Sequence, residues 1–197
     1  MTAASTDAGK KPRADAVRNR DKLVDAARAA FAAAGDDSAS LEGIARSAGV
    51  GIGTLYRHFP SREALVEAVY AAELDHLTDT TAELLRELPP DRALRAWMGR
   101  YAVFVATKRG MADTLRAGWA SGRIATPDTR GRITAAIAEF LTAASVDGSL
   151  RTDVEADDVV TMMLGILLAT ATDDAAKTAR MLDLAMAALR PEPTGRH

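Results

Sequence analysis

No cysteine occurs among the 197 residues of this chain. Its absence removes disulfides, thiolate metal ligands and thiol nucleophiles together, and it fits a reducing cytosol. Aromatic residues are scarce at 5%, and much of the 48% apolar content is alanine, the best helix former. That balance favours packed helices over sheets. Long greasy runs are missing too: the longest, around Met162 to Ala171, is too short to span a bilayer. The opening MTAASTDAGKKPRAD has no apolar core of the kind an export signal needs, so a cytoplasmic location is expected. The three histidines, His58, His76 and His197, show no metal-ligand spacing, and neither a nucleophile elbow nor a paired-carboxylate constellation stands out. No metal, cofactor or catalysis is expected.

Excess charge of one sign is also lacking, since the formal net charge is -2. A protein coated in positive charge for indiscriminate nucleic-acid binding is thereby disfavoured. Residues 1–60 hold nine of the 25 Lys/Arg and seven of the 27 Asp/Glu, an excess of two; the remaining 16 and 20 leave -4 for the rest. Lys10, Lys11, Arg13, Arg18, Arg20 and Lys22 gather ahead of the first apolar run. Residues 1–13 read as a disordered basic tail, with a phosphate-facing role as the alternative for its charges; residues 191–197, PEPTGRH, read as a second disordered tail.

Apolar spacing then organises the chain. From Ala14 to Ala34, Val17, Leu23, Val24, Ala27 and Phe31 recur at helical period, with Gly35 as the expected cap. Ser40 opens a short second helix that turns Leu41, Ile44 and Ala45 inward and ends at Ala48-Gly49. A third segment, 52–58, is barely two turns long and is closed by Pro60-Ser61, which also opens the fourth. That fourth helix keeps its stripe through Leu65, Val69, Leu74, Leu77, Leu84 and Leu88 until Pro89-Pro90, too far for a three-helix unit alone. Further helices are expected near 91–108, near 111–121, from Thr126-Pro127 to Asp147-Gly148, over 155–170 and over 174–189. The fold class is all-α: a three-helix domain over 14–60 joined through the long fourth helix to a helical domain over 61–190.

The stretch GVGIGTLYRHFPSREAL, from Gly49, admits two readings. A phosphate-cradling loop needs a strand before it, and either the Rossmann spacing or the lysine of a P-loop. Here the preceding LEGIARSA is helical, and the nearest cation is Arg57. A helix-turn-helix uses more of the residues: Gly49 supplies the turn's positive φ, Val50 reaches inward, and Leu55 and Phe59 form a buried face. Gly53 costs the third helix about 1 kcal/mol relative to alanine, a loss easier to understand if its backbone approaches something closely.

The segment LEGIARSAGVGIGTLYRHFPSREALVEAVY, with RDKLVDAARAAFAAAG before it, resembles the amino-terminal DNA-binding domain of the TetR family of bacterial transcriptional regulators. The resemblance covers roughly residues 14 to 75. It implies an all-α homodimer that reads a palindromic double-stranded DNA operator, with a carboxy-terminal domain that binds a small effector and forms the dimer interface. By resemblance, Ser40 and Thr54 match phosphate contacts, and Ile52, Gly53 and Tyr56 match positions at or near base edges. Arg57 and His58 match the aromatic or basic position and the backbone-contacting histidine; Arg62 matches a basic phosphate contact, and Arg46 lies where some members reach a base or phosphate. Gly51 departs from the pattern, which usually has serine or another polar residue there, so base readout is thin and shape or Arg46 is expected to carry more of the specificity. Repression with release by effector is the expected mode. Activation, or a helical dimer that uses its helix-turn-helix for protein contacts, are the alternatives.

The carboxy-terminal half resembles the effector domain of the SbtR-like branch of that family. This implies a pocket, and Trp97, Tyr101, Phe104, Met111, Leu115, Trp119, Phe140 and Met163 are its candidate lining, each with ordinary core as the other reading. Arg100, Lys108, Arg109 and Asp113 either orient a polar effector or are solvated. Over 155–170 the helix is apolar on nearly every side. A helix of that kind must be covered all round. Val159, Val160, Met162, Leu164, Ile166 and Leu167, with Met181, Leu182, Ala185 and Leu189 of the last helix, are therefore expected to meet a second copy, a central core helix within a monomer being the alternative.

Overall fold

The computed structural model describes residues 10–34, 39–122, 128–170 and 174–191. Among these residues it contains α1 (Lys10–Ala34), α2 (Leu41–Ser47), α3 (Ile52–His58), α4 (Arg62–Glu87), α5 (Pro90–Arg109), α6 (Ala112–Ala120), α7 (Thr129–Asp147), α8 (Ala156–Ala169) and α9 (Ala175–Ala188), and no strand. The all-α expectation holds.

Local chemistry sets most boundaries. Pro90 stands at the first position of α5, where its missing N–H costs nothing and its φ is already helical. Asp128 and Asp174 cap α7 and α9 by accepting from the amides of Gly131 and Lys177. Gly148 ends α7 with φ 69°, the left-handed conformation favoured for glycine. Two starts differ from expectation. The first helix begins at Lys10, not Ala14, so Lys10–Arg13 belong to α1 rather than to a tail; Pro12 is tolerated because the amides of a first turn have no intrahelical acceptor. The seventh begins at Thr129 under Asp128. Residues 1–9 and 192–197 of the expected tails, the Gly35 cap and the Thr126-Pro127 opening lie outside the described residues.

The chain divides into two compact units, Met1–Ala72 with Thr107–Thr126, and Glu73–Ala106 with Pro127–His197. In the first, α1, α2 and α3 pack on one another around Leu23, Phe31, Ile44, Leu55, Phe59 and Leu65, all at most 3% exposed. This unit does not follow the expected boundary at 60/61: the start of α4, the end of α5 and all of α6 belong to it. In the second, Trp97 is fully buried, stacks on Tyr101 at 5.6 Å and donates its indole N–H to the Leu77 carbonyl at 3.0 Å. Phe140 and Phe104 extend the cluster, at 5.9 Å from Trp97 and 6.1 Å from Tyr101. The Arg130 guanidinium grips both Asp157 oxygens, at 2.9 and 2.6 Å, which joins α7 to α8 and holds the Asp157 carboxyl below its usual range. Arg95 joins α5 to Asp183 on α9 at 2.6 Å.

Candidate nucleic-acid interface

Two short helices and the turn between them make this site. Ser40 caps α2: its hydroxyl oxygen accepts from the Gly43 amide at 3.0 Å. At the other end, the amide of Val50 donates to the Ala45 carbonyl at 3.0 Å and that of Gly49 to the Arg46 carbonyl at 3.1 Å. This is the paired bonding of a Schellman turn, and Gly49 sits in it with φ 69°. The chain then re-enters helix at once, since the amides of Thr54 and Leu55 both donate to the Gly51 carbonyl.

Burial along α3 follows the helical period. Leu55 and Phe59 are 0% and 3% exposed, as their spacing predicted, while Ile52 and Tyr56 are 37% and 47% exposed. Gly53 and Arg57 are exposed beside them. At 100° per residue these four residues fall on one continuous solvent face, whereas Thr54 and His58 are half-buried along one flank of it. Arg46 and Ser40 are exposed on α2 and at its cap.

Arg62, which the resemblance matches to a phosphate contact, also makes contacts within its own chain. One of its terminal nitrogens donates to the Ala39 carbonyl at 2.7 Å, and its guanidinium lies 5.3 Å from the Phe31 ring centroid. Arg62 therefore ties α4 to α1 and to the residue before the α2 cap, besides any phosphate contact. Arg20 covers Phe59 similarly, at 5.5 Å. Sequence spacing gave no sign of the Arg62 contact, because 23 residues separate donor from acceptor.

Gly53 has no conformational need to be glycine. Its φ is not positive, and a Cβ built on it meets nothing within 4 Å. Nothing among the described residues requires a missing side chain there, and the close approach suggested by the sequence would give the glycine a use. Gly53→Ala is accordingly expected to stabilise the protein by up to about 1 kcal/mol through helix propensity while weakening DNA binding. Thermal unfolding and DNA titration of the same variant check the two opposite signs, and a gain in both would remove the close-approach account.

A model of bacterial regulatory proteins of the tetR family matches residues 23–69, and one of the C-terminal domain of SbtR-like transcriptional regulators matches residues 89–191. The chain belongs to the TetR family. Proteins of this family are ligand-responsive, DNA-binding repressors. The crystal structure of the TetR transcriptional regulator SCO0520 from Streptomyces coelicolor is similar, with 45% identity, a TM-score of 0.82, and coverage of 88% of this chain and 99% of that one. A TetR transcription regulatory protein from Mycobacterium vanbaalenii shares 30% identity at a TM-score of 0.72, over 91% of this chain and 99% of its own. The HTH-type transcriptional regulator UidR of Escherichia coli strain K12 is 42% identical over 55 residues, a match that spans 28% of each protein.

The resemblance also implied an effector pocket and a dimer interface, and the structure distributes their candidate residues as follows. Of the candidate effector-pocket residues, Trp97, Tyr101, Phe104, Phe140 and Met163 belong to the second unit and Met111, Leu115 and Trp119 to the first. All but Trp119 are at most 4% exposed. Of the candidate dimer residues, Val159, Val160, Leu167, Leu182, Ala185 and Leu189 are buried within their own chain, at 1–4% exposure. That part of the all-round cover comes from α7 and α9, each of which packs on α8. Met162, Leu164, Ile166 and Met181 are half-buried, and the open apolar positions are Leu168 and Leu184, 67% and 63% exposed. Among the described residues, no helix is long and apolar enough to cross a membrane and no cluster of side chains is arranged to hold a metal ion.

Proposed function

We propose that this TetR-family chain is a cytoplasmic repressor that binds a palindromic operator as a homodimer and releases it when a small effector binds. The observation that carries the DNA reading is the solvent face of α3: Ile52, Gly53, Tyr56 and Arg57 form a continuous surface presented by a rigid turn, with a glycine where the chain itself needs none. Two such helices, about 34–36 Å apart along one face of the duplex, would enter successive major grooves. Ile52 and Tyr56 suit apolar and hydrogen-bonding contact with base edges. Arg46 and Arg57 suit phosphates or guanine, and Ser40 and Thr54 suit phosphates.

Effector response needs a physical route to α2 and α3, and the first unit offers one. The amide of Met111 donates to the Lys108 carbonyl at 3.1 Å, which closes the turn between α5 and α6. In that turn Gly110 lies so close to α1 that a Cβ would overlap the Phe31 carbonyl oxygen. The Phe31 ring faces Arg62, and Arg62 holds Ala39 next to the α2 cap. Movement of the α5–α6 turn is thus communicated to α1, to Arg62 and to the start of the helix-turn-helix. A coupling of about 1–3 kcal/mol is sufficient for such a switch.

The reading is tested by fluorescence anisotropy with the DNA just upstream of the protein's own gene against a scrambled duplex, across a salt series. Specific binding at least about a thousandfold tighter than to the scrambled duplex is expected, with affinity falling steeply as salt rises. Tyr56→Ala should cost about 10- to 100-fold on the upstream DNA and little on the scrambled one. Salt-independent binding, or equal binding to both duplexes after removal of co-purified small molecules by refolding, would overturn it.

A further inference from the structure

Lys108, in the last turn of α5, occupies an unusual setting. Its ammonium lies 5.6 Å from the centroid of the Tyr70 ring on α4 and 5.4 Å from that of Trp119 on α6. The two rings meet edge to face at 5.8 Å. Among the described residues no carboxylate pairs with Lys108, and burial pulls its pKa below the ordinary lysine value. Rings attract a cation through their negative faces, but they supply no hydrogen-bond acceptor comparable to an oxygen.

A second donor stands at the same place. The indole N–H of Trp119 is buried and finds no acceptor among the described residues. A buried donor without an acceptor is destabilising, and such groups mark positions where another molecule completes the bonding. Met111, Leu115 and Trp119 recur every four residues, so they share one side of α6; the first two are fully buried and apolar. The result is a half-buried cation and a buried neutral N–H at one end of an apolar helix face, neither with an oxygen partner from the described residues.

We propose that Lys108 and Trp119 form the recognition end of an effector site for a small carboxylate with an apolar body. The ammonium lies 5.4 Å from the centroid of the indole that carries the N–H, a separation on the scale that the two oxygens of one carboxylate can bridge with ordinary hydrogen bonds. The carboxylate would draw Lys108 out of its contact with the rings. Because Lys108 and Gly110 share one turn, that displacement acts directly on the Gly110–Phe31 contact. This assignment rests on the effector-responsive reading above, and it gives that effector a chemical class.

The test uses the full chain without DNA and three probes of one shape: 1-naphthoate, neutral 1-naphthamide and cationic 1-naphthylmethylamine. Isothermal calorimetry is expected to show 1-naphthoate binding about 10- to 100-fold more tightly than the amide, the range expected for a hydrogen bond to a charged group, and no binding of the amine. Lys108→Met, which keeps the stem and removes the charge, should abolish the preference for acid over amide. Trp119→Phe, which keeps a ring and removes the N–H, should weaken 1-naphthoate about tenfold. Lys108→Arg should retain the preference. Equal binding of acid and amide by the unaltered protein, no binding of 1-naphthoate up to millimolar concentration, or unaltered acid preference in Lys108→Met would each overturn the proposal. The comparison of probes on the unaltered protein stands even where a variant fails to fold. Operator titration of the same preparation separates the two readings: specific DNA binding without naphthoate binding sinks only this site, and naphthoate binding without specific DNA binding sinks only the regulator.

Discussion

Replacing Leu168 and Leu184 together by arginine is expected to convert a dimer into a monomer and to lower operator affinity by about 10²- to 10⁴-fold, the gain that linking two binding heads ordinarily confers. Both side chains are among the most exposed large apolar groups of the chain, one on α8 and one on α9, two helices that pack against each other. Leu184 and the half-buried Met181 also line a shallow groove of about 580 Å³ together with Lys177, Arg180 and Asp183. Burying one leucine side chain contributes up to about 1.5–3 kcal/mol, and a twofold interface repeats each contribution on the partner. Arginine at these positions would force four desolvated, like-charged groups into the contact while leaving the core of each chain untouched. Circular dichroism should therefore be unchanged. Sedimentation velocity at micromolar concentration is the decisive measurement, and a double variant that still sediments as a dimer would move the interface elsewhere.

The second large effect is expected at Gly110. A Cβ there would overlap backbone, the Phe31 carbonyl, and not the yielding end of a flexible side chain. Either the α5–α6 turn or α1 must shift, at a cost of about 1–3 kcal/mol typical of overpacking, which lowers Tm by roughly 2–12 °C for a chain of this size. The same shift acts on the Phe31 ring, on Arg62 above it and on the Ala39 carbonyl that Arg62 holds. Gly110→Ala should consequently bind operator weakly with or without effector. Arg62→Met, which removes the hold on Ala39 but introduces no clash, should weaken operator binding with a smaller change in Tm. A Gly110→Ala protein with full operator affinity would mean that the turn does not communicate with the helix-turn-helix along this route.

Lys108 illustrates a compromise between stability and use. Lys108 is half-buried with no carboxylate paired to it among the described residues, so the charged form is disfavoured in the folded chain and its pKa falls. With a folded pKa below the unfolded one, the native state binds fewer protons than the unfolded state. The penalty is therefore present at pH values below the folded pKa and disappears as pH rises through the unfolded one. A carboxylate ligand would remove that penalty at neutral pH, which gives the apo protein a direct energetic reason to accept one.

Much of this architecture was legible from local chemistry. Helix boundaries followed from Ser40, Gly49, Pro89-Pro90 and Gly148, because caps and breakers act within one turn of the residues that carry them. The buried face of α3 followed from the spacing of Leu55 and Phe59, and the exposed face from what remained. The family was legible for the same reason: the helix-turn-helix is a contiguous segment whose constraints all lie close together in sequence.

Three features were decided only by the tertiary structure. Arg62 was assigned a phosphate by resemblance, but a carbonyl 23 residues away takes one of its hydrogen bonds. The stripe on α8 showed that it must be covered but not by what, because periodicity reports hydrophobicity without naming the partner; α7 and α9 cover one side, and Leu168 is left open. Lys108 reads in the sequence as one of several charges that either orient a polar effector or are solvated, with nothing to set it apart. Only folding brings Tyr70 and Trp119, 38 residues before it and 11 after, to its two sides. Local spacing determines which residues share a helix face, whereas an aromatic enclosure around one ammonium depends on three helices meeting, and no short-range pattern encodes that meeting.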